Sequence, residues 1–342
     1  MTTQQLKHFT VHLLLIIGSF FMLFPFVWMF FSSFKSKAEL TAPSDTINVL
    51  PDSMRPEIFN DDDAKARLEQ QANDEKAWNE AKAAAEKKQA ELVKAGKNVS
   101  IDSLMKEAQE KDRKLRKPFE LWDNYKEALK QQPFGQYFLN TIFVSITVTA
   151  VSLFFASLAA FSFAFFKFPY QNALFMLLLG TMMLPQQALL IPNYIVLSKI
   201  GWVNTYLALT VPWFASAYAV FFLRQFFMQL PKDLFEAATI DGCTRFQFYW
   251  MVALPLCKSP LVTLGIFTFL SNWNAFIWPL IVTNDENLRV LQVGLSYFQS
   301  DAGNDWGPLM AASTMTVLPL MIMYFFAQKQ FVESQMSSGM KE

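Results

Sequence analysis

Two histidines and two cysteines are all the imidazole and thiol chemistry in this 342-residue chain. His8 and His12 stand one helical turn apart, as a metal pair would, but no carboxylate lies near and they begin an apolar run; no metal site is expected. Cys243 and Cys257 are too few for a disulfide framework, and no Cys/His spacing suits zinc. Gly96-Lys97 lacks the upstream glycine of a GxxxxGK[ST] phosphate loop, so the chain by itself is not expected to hydrolyse ATP. No Ser/His/Asp or Cys/His arrangement is suggested. The expectation is no catalytic residue, no cofactor of its own and no enzyme activity.

One segment has an order that composition does not explain. It runs Leu230-Pro231-Lys232-Asp233-Leu234-Phe235, Glu236-Ala237-Ala238-Thr239-Ile240-Asp241-Gly242, then Cys243-Thr244-Arg245-Phe246 to Val252-Ala253-Leu254-Pro255. The residues predict a short helix, a glycine turn and a second helix ending at Pro255. Asp233 and Glu236 suit the positive end of a helix opened by Pro231, and Gly242 tolerates a left-handed helix end. Ala237 and Ala238 leave room for another surface. An interfacial amphipathic hairpin would account for the apolar residues, though not for their order.

The surrounding composition is that of a membrane. Hydrophobic types make up 53%, with 36 Phe, 16 Met and 9 Trp. Charges are 29 basic against 29 acidic, a balance that lacks the basic footprint of a nucleic-acid binder. They are also unevenly placed: residues 39–132 carry 37 of the 58. The remainder has too few charges to keep a soluble domain wet. Six apolar runs are long enough to span a bilayer: Phe9–Phe31, Phe138–Phe166, Ala173–Ile195, Thr205–Phe227, Pro260–Val282 and Gly307–Phe326. They are Phe/Leu/Met-rich without alternation, so helices rather than barrel strands are predicted. The first is too long for a signal-peptide core and has no cleavage site after it.

Six spans put both termini on one side. With that side cytoplasmic, Lys7, Lys167, Arg224, Lys232, Arg245, Lys258, Lys329 and Lys341 face inward, against Lys35, Lys37, Lys199 and Arg289 outward. No charge falls mid-span, which counts against a proton-driven carrier, although a sodium site built of carbonyls would escape that test. Asn140, Gln186, Gln187, Asn272 and Asn274 interrupt the apolar runs and either line a wet pathway or pair helix to helix. Trp273 and Trp278 suit either a sugar face or a membrane interface. The charged insertion predicts a helix from Asn60-Asp61-Asp62-Asp63 to Ala95 and another from about Ser100 to Lys117, either a solvated hairpin or a docking arm.

The spacing Glu-Ala-Ala, three residues, Gly, nine residues, an apolar residue, one more, Leu-Pro resembles the EAA motif of ABC-importer permeases, with Val252 where that family usually has Ile. Residues 134–342 as a whole resemble the smaller permease subunit of maltose-type carbohydrate importers, through Phe138-Leu139-Asn140-Thr141, Met183-Leu184-Pro185, Asn272-Trp273-Asn274-Ala275-Phe276 and Asn304-Asp305-Trp306-Gly307 among others. The link over 44–118 is longer than is usual in that family and inherits no role from it.

The resemblance implies an all-α membrane protein with six transmembrane helices and a type I ABC importer permease (MetI-like) core. Residues 1–43 would be a cytoplasmic tail and first helix, 44–133 an extracytoplasmic helical insertion, and 134–342 the core, with a coupling helix at about 231–256. Glu236, Ala237, Ala238, Asp241, Gly242, Leu254 and Pro255 would then sit in a groove of a separate ATPase dimer that holds the ATP and Mg. Tyr297, Phe298, Gln299, Ser300, Asp301, Gly303 and Asn304, within Thr283–Trp306, would reach an extracytoplasmic solute-binding protein or else form a packed external loop. The implied setting is the bacterial inner membrane, multi-pass, both termini cytoplasmic, beside a second permease subunit and lipid. The implied cargo is an oligosaccharide, with a sugar phosphate or polyol as the alternative. An ion-coupled carrier or a membrane scaffold would leave the motif unexplained.

Overall fold

The computed structural model describes residues 3–41, 49–54, 62–94, 99–111, 120–300 and 303–339. In chain order the helices are α1 (Thr3–Ser32), α2 (Lys37–Thr41), α3 (Asp62–Lys94), α4 (Ile101–Lys111), α5 (Asp123–Gln131), α6 (Phe134–Phe165), α7 (Gln171–Thr181) and α8 (Leu190–Lys199). There follow α9 (Tyr206–Thr210), α10 (Ala217–Phe227), α11 (Lys232–Ile240), α12 (Arg245–Phe248), a π-helical turn Tyr249–Ala253 and α13 (Leu254–Leu256). The rest are α14 (Lys258–Trp273), α15 (Ile277–Val282), α16 (Leu291–Ser296) and α17 (Trp306–Gly339). Strands β1 (Gln299–Ser300) and β2 (Gly303–Asn304) pair antiparallel, Gln299 opposite Asn304. Four spans among the described residues are long and apolar enough to cross a membrane, or up to six if two bent helix pairs each count as one.

Two of the expected runs, Ala173–Ile195 and Pro260–Val282, are not single continuous helices. The run Ala173–Ile195 is broken between α7 and the turn Gln186–Leu189 that leads into α8, with a 93° bend. Pro185 forces the break: it has no N–H to continue the ladder and holds its own backbone extended (ψ 130). The run Pro260–Val282 belongs to two helices, because α14 stops at Trp273. The Asn272 and Asn274 side chains donate to the carbonyls of Thr268 and Leu270, one turn back, and compete with the backbone there. Upstream, α14 bends by 77° from the helix that ends at Leu256, with Cys257 at the corner.

The chain divides into two compact units, Met1–Gln131 with Phe298–Thr314, and Gln132–Tyr297 with Met315–Glu342. In the first, α1 keeps its apolar surface open, as a lipid-facing helix does: Phe21 is 72% and Met22 78% exposed. Its C-terminal end is clasped by α5. Buried Asn124 donates to the carbonyls of Ser33 and Lys35, both at 2.8 Å, and Phe34 meets the rings of Trp122 and Tyr125. Ser36 and Glu39 form a capping box at the start of α2. The other Glu39 oxygen accepts the Asp52 N–H, while Asp52 pairs with Arg67 of α3 at 2.7 Å. Burial pushes the Glu39 carboxyl above its ordinary 4.5, against the lowering effect of the Ser36 hydrogen bonds.

Beyond that root, α3 and α4 form a hairpin with its own small core. Ala85, Leu104 and Met105 are buried with Trp78, Ala81, Leu92, Val99 and Ile101 against them, and Lys88 pairs with Glu107 at 3.1 Å. Helical spacing of Ile101, Leu104, Met105 and Ala108 turns one face of α4 onto α3. The expected helix start at Asn60-Asp61 and the stretch after Lys111 lie outside the described residues.

In the second unit α6 is central and packs against α10 and α14. Ala156 and Ala160 of α6, Ala219 of α10 and Ala253 are buried at these contacts, and small side chains are what let membrane helices approach closely. At the other end of α6 a second cluster joins Val144 and Val148 to Leu197, Ala208, Leu209, Trp278 and Val282. There α16 lies so close that a Cβ on Gly294 would stand 2.3 Å from the fully buried ring of Tyr137. Gly294→Ala is therefore expected to destabilise this unit by about 1–3 kcal/mol, the cost of overpacking a filled core. A thermal melt of the detergent-solubilised protein with the tolerant control Gly135→Ala, where nothing lies within 4 Å of the added methyl, checks it.

Candidate functional site

Helix α11 starts after Pro231, with Asp233 in its first turn. It ends in a Schellman motif: the Cys243 N–H reaches the Ala238 carbonyl at 2.9 Å and the Gly242 N–H the Thr239 carbonyl at 3.1 Å. Gly242 occupies φ +78°, with nothing within 4 Å of where a Cβ would lie. The glycine is there for its conformation, not for space. Thr244 then caps α12 in a capping box with Gln247, whose Oε1 accepts the Thr244 N–H at 2.8 Å. The helical path continues through the π turn and past Pro255 to Leu256.

The hairpin is held by aromatic rings on its inner face. Phe235 meets Phe248 (5.0 Å between centroids) and Phe165 of α6 (5.6 Å), and Phe248 meets Phe165 (5.5 Å). The Phe161 ring lies tilted against Tyr249, with centroids 5.2 Å apart. With that face fixed, the opposite one is bare. Glu236, Ala237, Asp241, Gly242 and Pro255 are exposed, while Ala238 and Leu254 are half-buried. Ile240, at the tip, is 87% exposed. A methyl-sized ridge flanked by the Glu236 and Asp241 carboxylates, with one isoleucine at its tip and a stiff aromatic footing, can seat in a groove of another protein but has no means of bond chemistry. Sequence reasoning passed over Ile240, the capping box and the inward aromatic contacts. The Thr-x-x-Gln spacing was readable; the rings, from three distant segments, were not.

The other expected positions divide. Asn140 is buried and fully paired: it donates to the carbonyls of Asn287 and Arg289 and accepts from Gln136 and Tyr206. It braces a helix against a loop. Asn272 is half-buried and Asn274 exposed, each bonded one turn back, and Gln186 and Gln187 are exposed at the bend after Pro185. Tyr297 is 45% exposed with the Arg289 guanidinium 4.5 Å over its ring. Phe298 is 4% exposed. Gln299, Ser300, Gly303 and Asn304 form the β1–β2 pair, and Asp301 lies outside the described residues.

A family model described as the binding-protein-dependent transport system inner membrane component matches residues 152–335, which contain the hairpin. The chain belongs to this family. The chain is 35% identical over 208 residues to the arabinooligosaccharides transport system permease protein of Halalkalibacterium halodurans, covering 61% of this chain and 75% of that protein. It is equally 35% identical over 208 residues to the sn-glycerol-3-phosphate transport system permease protein of Yersinia pestis, covering 60% and 74%. A probable ABC transporter permease of Bacillus subtilis is 34% identical over 212 residues, covering 61% and 71%. Among solved structures, a chain of a bacterial ABC transporter for the import of the acidic polysaccharide alginate has the same fold, with TM-score 0.68, 18% identity and coverage of 96% and 98%. The protein is thus a multi-pass membrane permease subunit of an ABC importer, a family that works with an ATPase and a solute-binding protein.

Proposed function

We propose that this chain forms half of the membrane channel of a carbohydrate importer, beside a second permease subunit and on top of an ATPase dimer that holds the ATP and Mg. The α11–α12 hairpin is the joint to that ATPase. The observation that carries the reading is the bare Glu236–Ala237 ridge, ending at a glycine held at φ +78° and backed by aromatic rings on α6. Nucleotide-driven closure would push this ridge and rock the helices between two access states. Lys and Arg in the short loops favour cytoplasmic termini, with the α3–α4 hairpin and the Thr283–Trp306 loop outside. Tyr297 is then the best-placed side chain for the binding protein.

An oligosaccharide cargo is supported by the name of the arabinooligosaccharide relative. A sugar or polyol phosphate is the second reading, supported by the equally similar sn-glycerol-3-phosphate permease. Mild detergent purification through a tag on this chain, with mass spectrometry of what accompanies it, tests the reading. An ABC ATPase and a second permease are expected, and the ligand of a co-purified binding protein names the cargo. A solitary chain that transports in liposomes without ATP would overturn it.

The α3–α4 hairpin has its own core, so deletion of residues 61–117 with a short linker is expected to leave the permease inserted and active. Uptake within about twofold of wild type is the expected reading, in line with the thermodynamic tolerance of long surface insertions. Loss of the protein from the membrane would show the hairpin to be structural.

A further inference from the structure

We infer that α6 is the rigid link through which the coupling hairpin and the loop at its opposite end act on each other, with a hydrogen-bonded clamp at each end. The inference rests on the coupling role proposed for the hairpin and goes beyond it.

The first clamp joins Tyr249 to Ser157, oxygen to oxygen at 2.7 Å and both buried. The Ser157 hydroxyl gives its proton to the Phe154 carbonyl at 2.9 Å, so Tyr249 is the donor between them. Tyr249 opens the π turn Tyr249–Ala253, a rare geometry that tends to mark functional sites. The rings of Phe235, Phe248 and Tyr249 lie on Phe161 and Phe165, so each piece of the hairpin is fixed to α6.

The second clamp holds the segment from Asn287 to Leu291. Thr141 donates to the Tyr137 carbonyl at 2.8 Å and accepts the Leu291 N–H at 2.9 Å, while Asn140 holds the Asn287 and Arg289 carbonyls. Gly294 of α16 lies against Tyr137 just beyond, on the way to Tyr297.

Between the clamps, Thr141 to Ser157 spans about 24 Å at the helical rise. This stretch has no proline and no break. The other apolar spans among the described residues do: α1 contains Pro25, α17 contains Pro319, the Tyr206–Phe227 span carries Pro212, and the remaining two are sharply bent. A displacement of the hairpin is absorbed where a proline or a bend interrupts the helical ladder but is carried along α6. Spatial intermediacy alone is not coupling, so the test must read one end while the other is driven.

The experiment uses the complex purified through this chain in nanodiscs, in a Cys243→Ala background, with an environment-sensitive fluorophore on Asn284→Cys. Asn284 is exposed beside the second clamp. MgATP with vanadate drives the ATPase end. In the otherwise wild-type chain the label is expected to shift. Tyr249→Phe or Ser157→Ala at one clamp, and Thr141→Val at the other, should cut that shift by at least about fivefold, the low end of site-to-site coupling. ATPase co-purification and vanadate-sensitive hydrolysis should persist. Ser157→Thr and Thr141→Ser, which keep the hydroxyls, should restore the shift. An undiminished shift in all three clamp variants, or no shift in the wild-type background of a hydrolysing complex, overturns the inference alone. Absence of any ATPase from the purified complex overturns the coupling role beneath it.

Discussion

Gly242→Pro is expected to abolish uptake while the chain still inserts in the membrane. Proline is locked near φ −65°, and Gly242 stands at +78°, so the Schellman turn closing α11 cannot form. The open space around Gly242 makes a graded series diagnostic. Gly242→Asn, tolerant of left-handed backbone, should retain most uptake. Gly242→Ala should carry a strain of about 1–2 kcal/mol, enough to lower transport roughly tenfold if the turn must be formed at each cycle. Gly242→Pro should fall below detection. Glu236→Lys reverses a carboxylate on the exposed ridge and should lose ATPase association with the turn intact. Transport assays paired with co-purification separate the two defects. Equal uptake across the glycine series would remove the hairpin from the coupling path.

The series also shows which parts of the structure were legible in the sequence. The helix–glycine–helix order over 231–256 was readable because each local choice has a local cause: Pro231 and Asp233 begin a helix and Gly242 ends it. The long apolar helices were readable from length and hydropathy. Their breaks were less so, since prolines within membrane helices are tolerated at some sites and decisive at others. Pro25 and Pro319 lie inside continuous helices, whereas Pro185 begins a right-angle turn. The proline alone does not separate them. The same limit applied to Asn140. As a polar residue in an apolar run it suited a pathway as well as a brace, and the loop carbonyls it holds come from 147 and 149 residues away. Tyr249 and Ser157, 92 residues apart, left no sequence signal at all.

The largest effect outside the coupling region is expected at Asp52. This aspartate is 2% exposed and accepts from the Arg67 guanidinium at 2.7 Å, so it anchors the start of α3 beside the capped turn at Glu39. Removing one partner of an enclosed ion pair costs about 3–5 kcal/mol, because the other charge is left without compensation. Arg67 keeps 22% of its side-chain surface in water, which places Asp52→Ala near the lower end, about 3 kcal/mol. The expected result is a hairpin freed at its root: faster tryptic cleavage after Arg67 and faster amide exchange in the first turns of α3, with uptake unchanged. A second substitution distinguishes charge from contact. Breaking a buried pair is costly, but replacing both members by apolar groups need not be, so Asp52→Leu with Arg67→Met should recover most of the protection that Asp52→Ala loses. If the double variant is as protease-sensitive as the single one, the backbone contacts around Glu39, and not the ion pair, hold the hairpin in place. The contrast with the deletion expected to be tolerated follows from the same physics: removing α3 altogether takes away Arg67 together with the site it fills, whereas Asp52→Ala leaves Arg67 without the carboxylate it pairs with at 2.7 Å.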